Sequence, residues 1–176
     1  MQVLTTAINE VKLIIPSVFE DERGYFFESW QQQRFAELVA PVTFVQDNQS
    51  LSKRGTLRGL HWQEAHPQDK LISVLSGTIF DVAVDIRPES PTYGKWVGET
   101  LSAENHRQLF IPKGFAHGFY VLSESAIVSY KCSDFYHPED ERSIRWDDPS
   151  LAIQWPIEGL PLLSAKDAMA PLFTPR

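Results

Sequence analysis

The chain has 176 residues, 43% of them hydrophobic and 22% charged, which suits one domain with a sizeable core. A formal net charge of -7 argues against nucleic acid as a main partner, so any bound anion must be held by a few placed cations rather than a broad positive field. A single cysteine, Cys132, excludes an internal disulfide and a multi-cysteine zinc site, and no apolar run reaches the ~18 residues that would span a membrane.

The N-terminal stretch from Met1 to Ile15 carries Glu10 and Lys12 and lacks a signal-peptide core, so the chain is expected in the cytoplasm. Val11 to Ile15 reads as a strand closed by Pro16. A turn follows at Glu20-Asp21-Glu22-Arg23-Gly24, then a short strand expected to pack Phe26 or Phe27 into the core. Gln31 to Leu38 predicts a helix with Phe35 and Leu38 on its apolar side, ended by Pro41. Thr43 to Ser50 predicts a strand with Val45, Asp47 and Gln49 on one face and Phe44, Gln46 and Asn48 on the other. Gln46 and Asn48 fit either a lined cavity or solvent exposure.

The run Arg54-Gly55-Thr56-Leu57-Arg58-Gly59-Leu60-His61-Trp62-Gln63 predicts a strand ending on a working residue. Regular alternation would put Leu57 and His61 on one face and Arg58 on the other. A bulge at Gly59 would instead turn Arg58 and His61 into one cavity, an anion-holding cation beside a general base. The bland alternative is a solvated arginine on an edge strand and a half-buried histidine with a hydrogen bond.

Further on, Lys70 to Leu75 and Thr78 to Ile86, joined at Ser76-Gly77, predict a hairpin with a two-residue turn. Asp81 and Asp85 share a face of the second strand with Ile79 and Ala83, which suggests a lined interior; Asp81 reads better as a hydrogen-bonded interior acid than as a catalytic one. Strands follow at Lys95 to Leu101, Gln108 to Ile111, Phe119 to Leu122 and Ala126 to Ser133, then a charged, turn-rich stretch from Asp140 to Pro149. Many short strands with little helix predict an all-β sandwich or barrel with a few short helices, one domain over residues 1–176.

The Pro-x-Gly-x-x-His run from Pro112 to His117 resembles the second motif of the cupin jelly roll. Metal cupins carry a His-x-His pair on an earlier strand; this chain has His61-Trp62-Gln63, and an indole cannot ligate, so a metal site is not expected, although His61, His66 and His117 could converge.

Arg58-Gly59-Leu60-His61, Lys70, Phe80-Asp81-Val82-Ala83-Val84-Asp85, Gly94-Lys95-Trp96, Leu101-Ser102-Ala103-Glu104-Asn105, Gly114-Phe115-Ala116-His117-Gly118-Phe119, Tyr130-Lys131-Cys132 and Ile144-Arg145-Trp146-Asp147-Asp148-Pro149 together resemble the dTDP-4-dehydrorhamnose 3,5-epimerase family over about Ile15 to Pro171. The resemblance implies a cupin-like jelly roll, a homodimer without metal or organic cofactor, and a dTDP-sugar substrate bearing a ketone at C4, on the route to L-rhamnose. Protons on the flanking carbons, C3 and C5, are acidic because the carbanion spreads into an enolate. The reaction therefore needs a base, a stabiliser for the enolate oxygen and an acid on the opposite face. An imidazole, with an ordinary pKa near ~6.5, suits the base.

The resemblance puts the base at His61, its partner carboxylate at Asp167, the acid at Tyr130 and the cation beside the C4 oxygen at Lys70. It puts further substrate contacts at Arg23, Glu28, Gln46, Asp47, Asn48, Arg58, His117, Glu141 and Lys166. Arg23 and Arg58 suit a diphosphate, because a guanidinium can hold two oxygens at once. Phe26, Phe27 and Phe135 are the candidates for stacking on thymine. Trp62 departs from the tyrosine or phenylalanine expected there, which puts the fine fit of the sugar in question. The competing readings are an epimerase acting at one carbon, a ketoisomerase, a non-catalytic sugar-nucleotide-binding cupin and a metal-dependent cupin oxygenase.

Overall fold

The computed structural model describes residues 1–175. Its strands are β1 (Gln2–Thr5), β2 (Lys12–Ile15), β3 (Val18–Asp21), β4 (Gly24–Phe27), β5 (Gln46–Lys53), β6 (Leu57–Gln63), β7 (Lys70–Ser76), β8 (Thr78–Asp85), β9 (Trp96–Ser102), β10 (Gln108–Ile111), β11 (Phe115–Val121), β12 (Ser125–Cys132) and β13 (Glu141–Ser143). Two short helices, α1 (Gln32–Leu38) and α2 (Ala165–Ala168), complete the regular structure apart from one 3-10 turn at Pro138–Asp140. Strands dominate, as the alternating patterns predict. They form an open sandwich rather than a closed barrel: a six-stranded sheet in the order β1-β2-β10-β7-β12-β5 faces a five-stranded sheet in the order β13-β6-β11-β8-β9.

The period-two alternation of the strands builds three apolar layers. Between the sheets lie Leu13, Ile72, Val74, Leu109, Ala126 and Val128 from one side, and Ile79, Ala83, Leu101, Phe115, Phe119 and Val121 from the other. Behind the five-stranded sheet, Leu60, Val82, Val84, Ala116 and Ile144 pack with Trp62, Phe80, Trp96 and Trp155. Behind the six-stranded sheet, Ile14, Leu71 and Phe110 are covered by Phe35 of α1.

Several local expectations need correction. Ser76-Gly77 does not close a hairpin: β7 pairs with β10 and β12, whereas β8 pairs with β11 and β9. Gly77, at φ +83°, carries the chain from one sheet to the other. A Cβ there would stand 2.1 Å from the Ser125 carbonyl oxygen, so a short glycine turn serves a sheet crossing as well as a hairpin. Phe26 does not enter the core. The β3–β4 hairpin is its own two-stranded sheet, Phe26 is 71% exposed, and Phe27 rests against Tyr25 and His106.

In α1 the buried residue is Phe35, while Leu38 is exposed; Val39 and Val42, past the helix end, cover the layer instead. The strand predicted at Thr43 to Ser50 begins three residues later, at Gln46, because Phe44 packs on Trp30 and Phe35. Asp167 lies in a helix that the sequence reading did not predict, and it is buried.

Candidate active site

A group of polar side chains lines a cavity of about 450 Å3. Ser50, Arg58, His61, Lys70, His117, Tyr130, Lys166 and Asp167 line it, with Leu57, Phe119 and Leu162 as apolar wall. His61, Arg58 and His117 belong to the five-stranded sheet; Lys70, Tyr130 and Ser50 belong to the facing six-stranded sheet.

Arg58 and His61 share this cavity because β6 bulges. Against β11, His61 is level with His117 but Arg58 is level with Phe119, so three steps on β6 match two on β11. Two glycines make the bulge possible. Gly59 holds φ +125° and approaches Gly118 so closely that a Cβ on Gly59 would lie 2.6 Å from the Gly118 Cα.

Asp167 locks the bulge. Its Oδ2 accepts the Gly59 backbone N–H (3.2 Å), and its Oδ1 lies 2.5 Å from His61 Nε2. Ser164 caps α2 by accepting the Asp167 N–H, which fixes the backbone of the carboxylate. Burial alone would push the Asp167 carboxyl up. The hydrogen bonds and charge of His61 and the Gly59 N–H outweigh it and hold the group below the usual carboxylate range. A carboxylate accepts only, so His61 Nε2 carries a proton toward Asp167, and in the neutral imidazole the lone pair is then on Nδ1.

Glu141 Oε1 lies 3.9 Å from that Nδ1, while Glu141 Oε2 accepts from Lys166 Nζ (2.9 Å) and the Tyr136 hydroxyl (2.8 Å). Burial raises the Glu141 carboxyl, but these donors and His61 bring it below its ordinary value.

Across the cavity, burial raises the Tyr130 phenol, and the Cys132 thiol adds to this against the hydrogen bond of Asn48. Tyr130 thus stays a proton donor through the neutral range. Lys70 Nζ lies 5.9 Å from the Tyr130 ring centre; burial lowers its pKa, opposed by the charges of Cys132, Asp81 and Glu141. Among the described residues Lys70 makes no ion pair, so its charge faces the cavity. His117 Nε2 is 2.7 Å from Asp81 Oδ1, and burial raises the Asp81 carboxyl against His117 and Lys70. Asp81 is therefore the interior acid the sequence suggests, supporting His117.

The inner face of β5 resolves the two readings of its polar residues. Gln46, Asn48, Ser50 and Ser52 alternate with the exposed Asp47, Gln49 and Leu51 and point between the sheets. Gln46 Nε2 donates to Asn48 Oδ1, and Ser52 Oγ accepts from Arg58 Nε at 2.9 Å. The Asp47 side chain lies on the outer face, paired with Lys131.

Arg23 and Glu28 are not in this cavity. Arg23 sits on the β3–β4 turn, 86% exposed and paired with Asp21, and Glu28 pairs with Arg34. His66 does not converge with His61 and His117; it bonds Asp140 and stacks on His137. Among the described residues no group of three or more His, Cys, Asp and Glu side chains is arranged to hold a metal ion. Trp62 faces away from the cavity into the layer behind the sheet, so its departure from the expected residue lies outside this cavity. The sequence reading missed Ser50, Ser164 and Tyr136. Ser50 had a signal in its inward register with Gln46 and Asn48, and Ser164 had one in its Ser-x-x-Asp spacing to Asp167, which marks a helix start.

The comparisons with known proteins give the family of the chain. The family model described as dTDP-4-dehydrorhamnose 3,5-epimerase matches residues 5–174. The chain belongs to the dTDP-4-dehydrorhamnose 3,5-epimerase family. It is 58% identical to the Salmonella typhimurium dTDP-4-dehydrorhamnose 3,5-epimerase, over 98% of this chain and 95% of that one. The crystal structure of a Legionella pneumophila dTDP-6-deoxy-D-glucose-3,5-epimerase in complex with dTDP-4-keto-L-rhamnose superposes with a TM-score of 0.95 at 57% identity, covering 97% of this chain and 92% of that chain. A Streptomyces bikiniensis 3'-monoepimerase in complex with dTDP-quinovose has a TM-score of 0.89 at 33% identity, covering 96% and 86%.

The Asp167 clamp yields a test with a defined sign. A depressed carboxyl contributes stability that is present above the ordinary carboxylate pKa of ~3.9 and is lost as pH falls through its folded value. Asp167→Asn should therefore cost about 1–3 kcal/mol in urea unfolding at pH 6 and distinctly less at pH 3. Turnover should fall by a factor on the order of 10²–10⁴, because the imidazole loses its orienting charge. An equal stability loss at both pH values would show that Asp167 is not the titrating clamp.

Proposed function

We propose that the chain inverts C3 and C5 of dTDP-4-keto-6-deoxy-D-glucose to give dTDP-4-keto-L-rhamnose, with His61 as base, Tyr130 as acid and no organic cofactor. The observation that carries the division of labour is that His61 and Tyr130 stand on facing sheets across one cavity. A sugar ring bound between them presents one face to the imidazole and the other to the phenol. His61 Nδ1 takes the proton from the carbon beside the ketone, and Asp167 stabilises the imidazolium. The electron pair moves onto the C4 oxygen, where the Lys70 ammonium offsets the developing charge. Tyr130 then protonates the carbon from the opposite face, and the ketone re-forms. The same pair can serve C3 and C5 in turn, because both carbons flank one carbonyl.

Arg58 suits the diphosphate; for the rest of the ligand, His117 and Lys166 line the cavity, Glu141 is tied to Lys166, and Gln46 and Asn48 continue from Ser50 along the inward face of β5. Inversion at both carbons is favoured over inversion at one by the higher identity to the 3,5-epimerases, 58% and 57%, than to the 3'-monoepimerase, 33%.

Arg23 and Glu28 retain a substrate role in a homodimer, where the exposed β3–β4 hairpin with Phe19, Tyr25 and Phe26 reaches a second copy. Asp47 would then contribute through its backbone, since its side chain points outward. Phe26 and Phe135, both exposed, have rings available to thymine, whereas Phe27 is engaged by His106. A monomer by sedimentation at catalytic concentrations would remove this part of the reading.

Solvent-exchange NMR separates the base from the acid. His61→Ala should abolish deuterium uptake from heavy water at both carbons, together with product formation. Tyr130→Phe should lose most net epimerisation yet keep exchange into unepimerised sugar, because the enolate still forms and recovers a deuteron from His61. Exchange near the wild-type rate in His61→Ala would remove His61 as the base.

A further inference from the structure

The cavity contains a buried hydroxyl that the proposed chemistry does not use. Ser50 Oγ is buried and has no hydrogen-bond partner among the described residues, although its residue lines the cavity. An unsatisfied buried donor costs a protein free energy that an apolar group of the same shape would not. Directly across the sheet from Ser50 is Val128, which offers no side-chain acceptor. The hydroxyl therefore lacks a partner on its own sheet, and its residue lines the cavity in which ligand binds under the proposed function.

Its position specifies what it would meet. Inward side chains along β5 recur every second residue, roughly 6.6–7 Å apart, so Ser50 lies midway between Asn48 and Ser52. Asn48 is level with Tyr130, and Ser52 Oγ accepts from Arg58 Nε. Ser50 thus stands between the guanidinium suited to the diphosphate and the phenol suited to the reacting ring. A ligand spanning those two groups must carry its sugar-bearing phosphate past Ser50. A phosphate oxygen is an acceptor, and a serine hydroxyl donates to it with a short, charge-assisted bond.

We propose that the Ser50 hydroxyl donates to the β-phosphate of the bound dTDP-sugar and makes the site discriminate a nucleoside diphosphate from a monophosphate. This rests on the function proposed above for the same cavity. The test uses the full chain with dTDP and dTMP as probes. Ser50→Ala should weaken dTDP about tenfold or more by calorimetry and leave dTMP within about twofold, because dTMP has no second phosphate.

With the dTDP-4-keto sugar, KM should rise more than kcat falls. The ligand-free melting temperature should stay the same or rise, since the variant removes an unpaired buried hydroxyl. Unchanged dTDP affinity overturns the proposal. So does an equal loss for dTDP and dTMP with a lower ligand-free melting temperature, which would mark Ser50 as a structural hydroxyl. If the wild-type chain fails to turn over the keto sugar, the proposed function falls, while the contrast between dTDP and dTMP still decides Ser50.

Discussion

One carboxylate holds the two features on which the cavity depends. Asp167 accepts the Gly59 N–H with one oxygen and the His61 Nε2–H with the other. The first bond secures the bulge that turns Arg58 to the same side as His61. The second fixes which imidazole nitrogen carries the lone pair. Because Asp167 is buried and its carboxyl is held below the usual range, the negative charge is present throughout the neutral region.

The rest of the sandwich places groups against that fixed point. The apolar layer between the sheets holds β6 and β12 on facing walls, so His61 and Tyr130 stand on opposite sides of one cavity, as the proposed base and acid require. Burial keeps the Tyr130 phenol protonated; it also lowers the Lys70 pKa, while the nearby charges of Asp81 and Glu141 act to keep the ammonium. A proton donor and an ammonium without an ion-pair partner among the described residues would suit an enolate better than a neutral ketone, which is the condition for lowering a barrier rather than only binding substrate.

Much of this was legible in the sequence, but unevenly. The glycine spacing around Arg58 allowed a bulge, and the structure has one there. The inward face of β5 could be read as cavity lining, though solvent exposure fitted the pattern equally well until Tyr130 was seen opposite Asn48. Asp167 could not be derived from local pattern. It lies 106 residues from His61 in a four-residue helix too short for any periodicity, and only the family resemblance pointed to it. The crossing at Gly77 was misread because a glycine turn between two strands carries the same local signature whether the strands pair or part. Phe26 was misplaced because an aromatic strand is ordinarily a core strand, and an isolated hairpin breaks that rule.

The most direct test of the central claim is the tautomer of His61, read from the side-chain nitrogen resonances of the 15N-labelled protein at neutral pH. The account predicts a proton fixed on Nε2 and a bare Nδ1, with that preference lost in Asp167→Asn. A proton on Nδ1 with Nε2 bare, or a wild-type imidazole averaging between the two forms, would contradict it.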